Sequence, residues 1–130
     1  VAPPSEVRKV HLRTFVRFEV MLPVAVVPRV HEETNAGFEA FTRDISGGGA
    51  LIVTKHPLSR GTRLSISLRL PESEPVEADG EVVRVEEPPG KERGFYWLGV
   101  KYLNLSEKNR TRIIRFIFKK QLERRSKELF

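Results

Sequence analysis

The sequence predicts an all-β domain with a C-terminal helix: a six-stranded antiparallel, Greek-key-like β-barrel with one flanking α-helix. Three observations carry this expectation. Short runs with apolar residues at alternate positions recur between turn residues about every ten residues from Phe18 to Leu103. Beyond Ser106 the period changes, and Ile113, Ile114, Ile117, Phe118 and Leu122 fall at helical spacing. Finally, 130 residues with 39% hydrophobic content suffice for one domain with a single modest core.

Taken in order, residues 1–7 (Val-Ala-Pro-Pro-Ser-Glu-Val) read as linker, because two prolines disfavour a helix and remove backbone donors. Residues 8–17 form a basic arm with interleaved apolar residues that leads into a barrel spanning 8–105. Phe18, Val20, Leu22, Val24 and Val26 share one face of the first strand, and Pro23 and Pro28 imply an edge or a bulge. Residues 31–37 read as a hairpin loop, 38–43 as a second strand and 50–54 as a third. Thr62, Leu64, Ile66, Leu68 and Leu70 alternate most clearly of all.

Val76–Val85 is a further strand, in which Val83 and Val85 put apolar residues on the second face and so point to a bulge or a covered surface. Tyr96, Leu98, Val100 and Tyr102 define the last strand. Ser106 is a suitable N-cap for a helix over about 107–127, within a C-terminal segment 106–130. The five apolar residues of its stripe are expected to pack on the barrel, with Phe116 at one edge.

The net charge of +6 and pI near 10 invite a nucleic-acid reading. Residues 106–130 hold nine Lys/Arg against three Asp/Glu, an excess of six, while residues 1–105 hold fourteen of each sign. The body of the domain is therefore neutral, which argues against a broad platform for DNA or RNA. The basic helix end reads first as a solvated face; an acidic partner, an anionic membrane surface or a second copy are its other uses. No apolar run approaches the ~20 residues of a membrane span. The absence of Cys excludes disulfides and fits a cytoplasmic setting. Val rather than Met at position 1 points to a piece of a longer protein or a trimmed terminus.

Enzyme patterns are missing. His11, His31 and His56 have no metal-ligand spacing, and there is neither a P-loop nor a nucleophile elbow. Glu77, Asp79 and Glu81 alternate on a strand, as a solvated face does. Two features are more suggestive. Thr42-Arg43-Asp44-Ile45-Ser46-Gly47-Gly48-Gly49-Ala50 places a carboxylate and a hydroxyl beside three glycines, which admit positive φ and close approach. Arg13 and Arg17 share parity in the arm and lie ~13 Å apart if it is extended, so that they could grip a compact polyanion. A carboxylate accepts from the N1–H and N2–H₂ edge of guanine, while Arg reads O6 and N7. Asp44 and an arm arginine could thus read one guanine from both sides, with Ser46 and the Gly48 or Gly49 amides adding bonds.

Arg13-x-x-x-Arg17 followed by Asp44-x-Ser46-x-x-Gly49 resembles the PilZ domain, a bacterial receptor module for cyclic di-GMP. Leu98-Gly99-Val100-Lys101-Tyr102 is similar to the family's late strand, and the C-terminal helix to that of its flagellar-brake group. The resemblance covers about residues 8–125. It implies a six-stranded barrel, ligand binding by Arg13, Arg17, Asp44, Ser46 and Gly49, no catalysis and no cofactor beyond the cyclic di-GMP ligand. It also implies relay of the signal to a neighbouring domain or protein partner, such as the flagellar motor. Many members carry an arginine where this chain has Leu12, which favours one ligand per domain. Competing expectations are a protein-interaction module that has lost the ligand, and a small-barrel nucleic-acid binder. Trp97 and Tyr96 are candidates for stacking on a base, although barrel packing explains them more simply.

Overall fold

Strict alternation sets the inside of the barrel. In β6 (Arg63–Leu68), Leu64, Ile66 and Leu68 are buried, and Arg63, Ser65 and Ser67 face outward. The computed structural model describes residues 15–30, 33–34, 37–87 and 94–129. The linker 1–7 and the arm as far as residue 14, including Leu12 and Arg13, lie outside the described residues, as do His31 and much of the loop before β8. The other strands are β1 (Phe18–Glu19), β2 (Pro23–Val30), β3 (Glu33–Thr34), β4 (Phe38–Ile45), β5 (Gly49–Thr54), β7 (Val76–Glu86) and β8 (Tyr96–Leu103). One helix, α1 (Glu107–Leu129), follows.

Six of the strands close on themselves in the order β4-β5-β8-β7-β6-β2, with β2 returning to β4, and every pairing is antiparallel. The predicted barrel is therefore observed, with β1 and β3 as two-residue additions. β1 and β2 both pair with β4, and the chain between them is tied by one buried side chain. Thr42 Oγ1 donates to the Val20 carbonyl at 2.6 Å and accepts from the Leu22 amide at 2.9 Å. Pro23 opens β2, and Pro28 lies where β2 still pairs with β6 but no longer with β4, so its missing N–H interrupts no second ladder.

The core gathers Phe18, Leu22, Val24 and Val26 with Ile45, Ile52, the β6 leucines, Val82, Leu98 and Val100. Glu77, Asp79 and Glu81 do face solvent, but each meets a partner on β6: Ser67, Ser65 and Arg63. α1 begins after Asn104, which adopts a left-handed φ of 51°. Ser106 caps the helix by accepting from the Asn109 amide at 3.1 Å. The expectation for the helical stripe needs correction. Ile113 and Ile117 are buried and Phe116 packs beside them, but Ile114, Phe118 and Leu122 remain exposed. Five apolar residues span more than one face, and the barrel covers only the face that Ile113 and Ile117 share.

Candidate functional site

Two bulges aim the polar residues of the site. Between Thr42 and Asp44 the β4–β5 register shifts, leaving Arg43 as an extra residue. Simple alternation would turn Asp44 inward with Thr42. Instead Thr42 and Ile45 are both buried, and Asp44 comes to the outer surface. A second shift between Val82 and Arg84 on β7 sets Arg84 opposite Gly99. Asp44, Leu51, Gly99 and Arg84 then form one lateral row across four strands. Its ends are three strand spacings apart, about 14 Å.

Over this row lies a cavity of 490 Å³ lined by Arg17, Asp44, Ser46, Gly48 and Gly49, together with Arg84 and Lys101. Leu51 and Gly99 supply a low floor. Gly99 has no side chain to obstruct Arg84, whose Nε would lie 3.6 Å from a Cβ built there. Arg84 is paired with Glu86 at 3.2 Å, and Lys101 with Glu81 at 3.9 Å.

Burial raises the Asp44 pKa above its ordinary 3.8, assisted by Glu19 and opposed by the charges of Arg17, Arg84 and Arg43. Tyr102 lies behind it, and its hydroxyl is buried with no hydrogen-bond partner among the described residues. Burial, and then the nearby charge of Asp44, raise the pKa of that phenol, so the hydroxyl keeps its proton.

The glycine turn differs from the sequence expectation. Gly47, Gly48 and Gly49 do not have positive φ; among the described residues the positive-φ glycines are Gly61 and Gly94. What the turn requires is close approach. A Cβ on Gly47 or Gly48 would lie 2.7 or 3.1 Å from the Phe15 ring, and one on Gly49 only 2.2 Å from the Val100 carbonyl oxygen. Ser46 accepts from the amides of Gly48 and Gly49 at 3.1 and 3.2 Å, so those two N–H groups are already bonded. Arg110 of α1 donates to the Gly47 carbonyl at 3.1 Å and stands 5.5 Å from the centre of the Phe15 ring.

Arg17, Asp44, Ser46, Gly48 and Gly49 are thus brought together, whereas Arg13 and Leu12 lie outside the described residues. Trp97 is covered by the Arg43 guanidinium at 4.8 Å, and Tyr96 packs against the core. Sequence reasoning missed Arg84, Lys101 and Phe15. The apolar excess around Val83 and Val85 was the available signal for Arg84, and the outward parity of Lys101 between Val100 and Tyr102 was another. Among the described residues no group of three or more His, Asp or Glu side chains could hold a metal ion, and no helix is long and apolar enough to cross a membrane.

No curated protein sequence matches the chain. Among the solved structures similar in fold are three that represent the likeness. The PilZ domain of YcgR from Escherichia coli with c-di-GMP has a TM-score of 0.69 at 21% identity, covering 89% of this chain and 96% of that one. MotI/DgrA, the Bacillus subtilis inhibitor of motility, has a TM-score of 0.72 at 21% identity, covering 87% of this chain and 53% of that one. The K. pneumonia MrkH–c-di-GMP complex has a TM-score of 0.73 at 22% identity, covering 88% of this chain and 55% of that one. The chain therefore spans about half the length of MotI and MrkH. Barrel, helix and paired motifs agree with the match of residues 11–119 to the PilZ domain model, and the chain belongs to the PilZ domain family.

Proposed function

We propose that the chain is a receptor for cyclic di-GMP rather than an enzyme. The observation that carries this reading is the convergence of Arg17 from one motif with Asp44, Ser46 and Gly49 from the other on a single outward cavity. The residues suit the ligand chemically. Ionised Asp44 is acceptor-only and matches the N1–H and N2–H₂ donors of guanine. Arg17, joined by Arg13, holds phosphate oxygens and the O6/N7 edge. Arg84, at the far end of the row from Asp44, and Lys101, the register partner of Gly49, supply two further cations on the cavity for the remaining anionic groups. Gly48, Gly49 and Ser46 keep the rim low and fixed.

In this reading the nucleotide engages the arm 8–17 through Arg13 and Arg17 and fixes it against the barrel, where Phe15 already rests on the glycine turn. The arm relays the change to a neighbouring domain or partner protein in the cytoplasm. MotI is named as an inhibitor of motility, which favours control of motility or surface behaviour as the output.

Calorimetric titration with cyclic di-GMP is the test, with cyclic di-AMP as the control that lacks the guanine edges. We expect saturable binding of the guanine ligand alone, at one per domain. Removing one charge-assisted partner, in Arg17→Ala or Asp44→Ala, should cost about 1.5–3 kcal/mol, roughly 10- to 150-fold in affinity. Absence of binding, equal binding of both nucleotides, or wild-type affinity in both variants refutes the reading.

A further inference from the structure

Part of the apolar stripe on α1 stays exposed among the described residues. Ile114, Phe118 and Leu122 are 42%, 61% and 48% exposed and follow one another at four-residue spacing, so they lie in line on the helix. Phe118 and Leu122 line a groove of 470 Å³ between α1 and β1, whose other sides include Phe18, Arg17, Arg124 and Arg125. Arg124 is fixed in place: its guanidinium stacks 4.5 Å from the Phe18 ring and donates to the Glu19 carbonyl at 3.4 Å. One carboxylate, Glu19, faces three arginines there.

We propose that this groove docks an amphipathic segment of a partner protein, apolar where it meets Phe118 and Leu122 and acidic along its edges. The charge of the rim selects the occupant. α1 carries nine Lys/Arg against three Glu, so a second copy laid along it would oppose like charges. A flat anionic bilayer would satisfy the arginines but leave a concave floor unfilled. A side chain inserted from an acidic helix or strand does both, in the helix-in-groove manner.

Arg17 lines this groove as well as the nucleotide cavity. A guanidinium engaged by a phosphate has less charge to offer a carboxylate. Nucleotide and acidic segment therefore weaken each other, and by linkage to the same factor. This coupling rests on the receptor reading of the cavity; the docking does not.

Short random peptides displayed on phage, selected against the nucleotide-free protein, then synthesised and titrated by fluorescence anisotropy, test the groove. Enriched peptides should combine Asp or Glu with an aromatic residue or Leu. Their affinity should fall about tenfold or more in Phe118→Asp and several-fold in Arg125→Glu. Both positions are exposed, so unchanged melting checks that the variants fold. The docking is overturned by failure to enrich, by enrichment of basic peptides, or by affinities that Phe118→Asp leaves unchanged. It is also overturned if that substitution instead abolishes self-association or binding to phosphatidylserine vesicles. If cyclic di-GMP binds but leaves peptide affinity unchanged, the coupling through Arg17 is wrong and the docking stands. If cyclic di-GMP does not bind at all, the receptor reading fails and the groove is judged on the peptides alone.

Discussion

Gly49→Ala should damage the fold before it damages any contact with a ligand. The new Cβ would sit 2.2 Å from the Val100 carbonyl oxygen and 3.2 Å from Lys101 Cα. Both neighbours are backbone on β8, and neither can rotate away. Normal carbon contacts begin near ~3.5 Å, so Gly49 and Lys101, which are register partners, must separate by roughly an ångström. Overpacking of this kind costs about 1–3 kcal/mol. The same shift strains two bonds at the turn, from Ser46 N to Gly49 O at 2.9 Å and from Tyr102 N to Gly48 O at 3.0 Å. Each is worth about 0.5–1.5 kcal/mol. A total near 3 kcal/mol corresponds to a fall in Tm of roughly 10 °C for a domain of this size.

Thermal melting and urea denaturation of Gly49→Ala and Gly48→Ala, side by side, provide the assay. A Cβ on Gly48 meets only the Phe15 ring, at 3.1 Å, and a ring can shift. Gly48→Ala should therefore lose far less stability. If Gly49→Ala melts within about 2 °C of wild type, or if the two variants lose equal stability, strand packing is not what reserves position 49 for glycine.

Asp44→Asn should do the reverse, weakening nucleotide binding roughly 10- to 150-fold while leaving the free protein as stable or more stable at neutral pH. The carboxyl's pKa is raised in the folded state, so stability declines as pH rises through the interval above 3.8, and the ionised form is the disfavoured one. Guanine donors favour that ionised form, so affinity for cyclic di-GMP should rise with pH over the same interval. Calorimetry in buffers of different ionisation enthalpy should detect proton release on binding there. Thr42→Val removes a hydroxyl that satisfies both the Val20 carbonyl and the Leu22 amide, and should cost about 2–4 kcal/mol in denaturant titrations. Arg110→Ala removes the bond to the Gly47 carbonyl and the cation over Phe15. It should cost about 1–2 kcal/mol and weaken nucleotide binding without touching the cavity, while Arg110→Lys should restore part of the loss.

Much of the barrel was legible because its signals are local. Alternation in Leu64, Ile66 and Leu68 and the Ser106 cap depend on neighbours within a few residues. Asp44, Ser46 and Gly49 were legible as a group for the same reason. What remained hidden depends on distant partners. The bulge at Arg43 is a mismatch between β4 and β5, and neither strand announces it alone. Arg84 and Lys101 reach the cavity only through the register of β7 against β8. The helical stripe shows the same limit: Ile113 and Ile114 are chemically identical in sequence, and docking against the barrel buries one and exposes the other.

The three glycines show how a motif read as a ligand cradle can be set by architecture. Phe15 at the end of the arm covers Gly47 and Gly48, α1 holds Gly47 through Arg110, and β8 crowds Gly49. A side chain on Gly47 would also meet Ile114, at 3.3 Å. Arm, barrel and helix therefore meet at one short turn, three residues beyond the carboxylate that faces the cavity. Phe15 is two residues from Arg17, so on the receptor reading a ligand that moves the Arg17 guanidinium should also pull on the ring that rests against this turn. The backbone there cannot yield toward β8, because Gly49 is already packed against Val100. On the receptor reading, the compliant side of the junction would be the contact of Phe15 with Arg110, and displacement of the arm should be felt first at the start of α1.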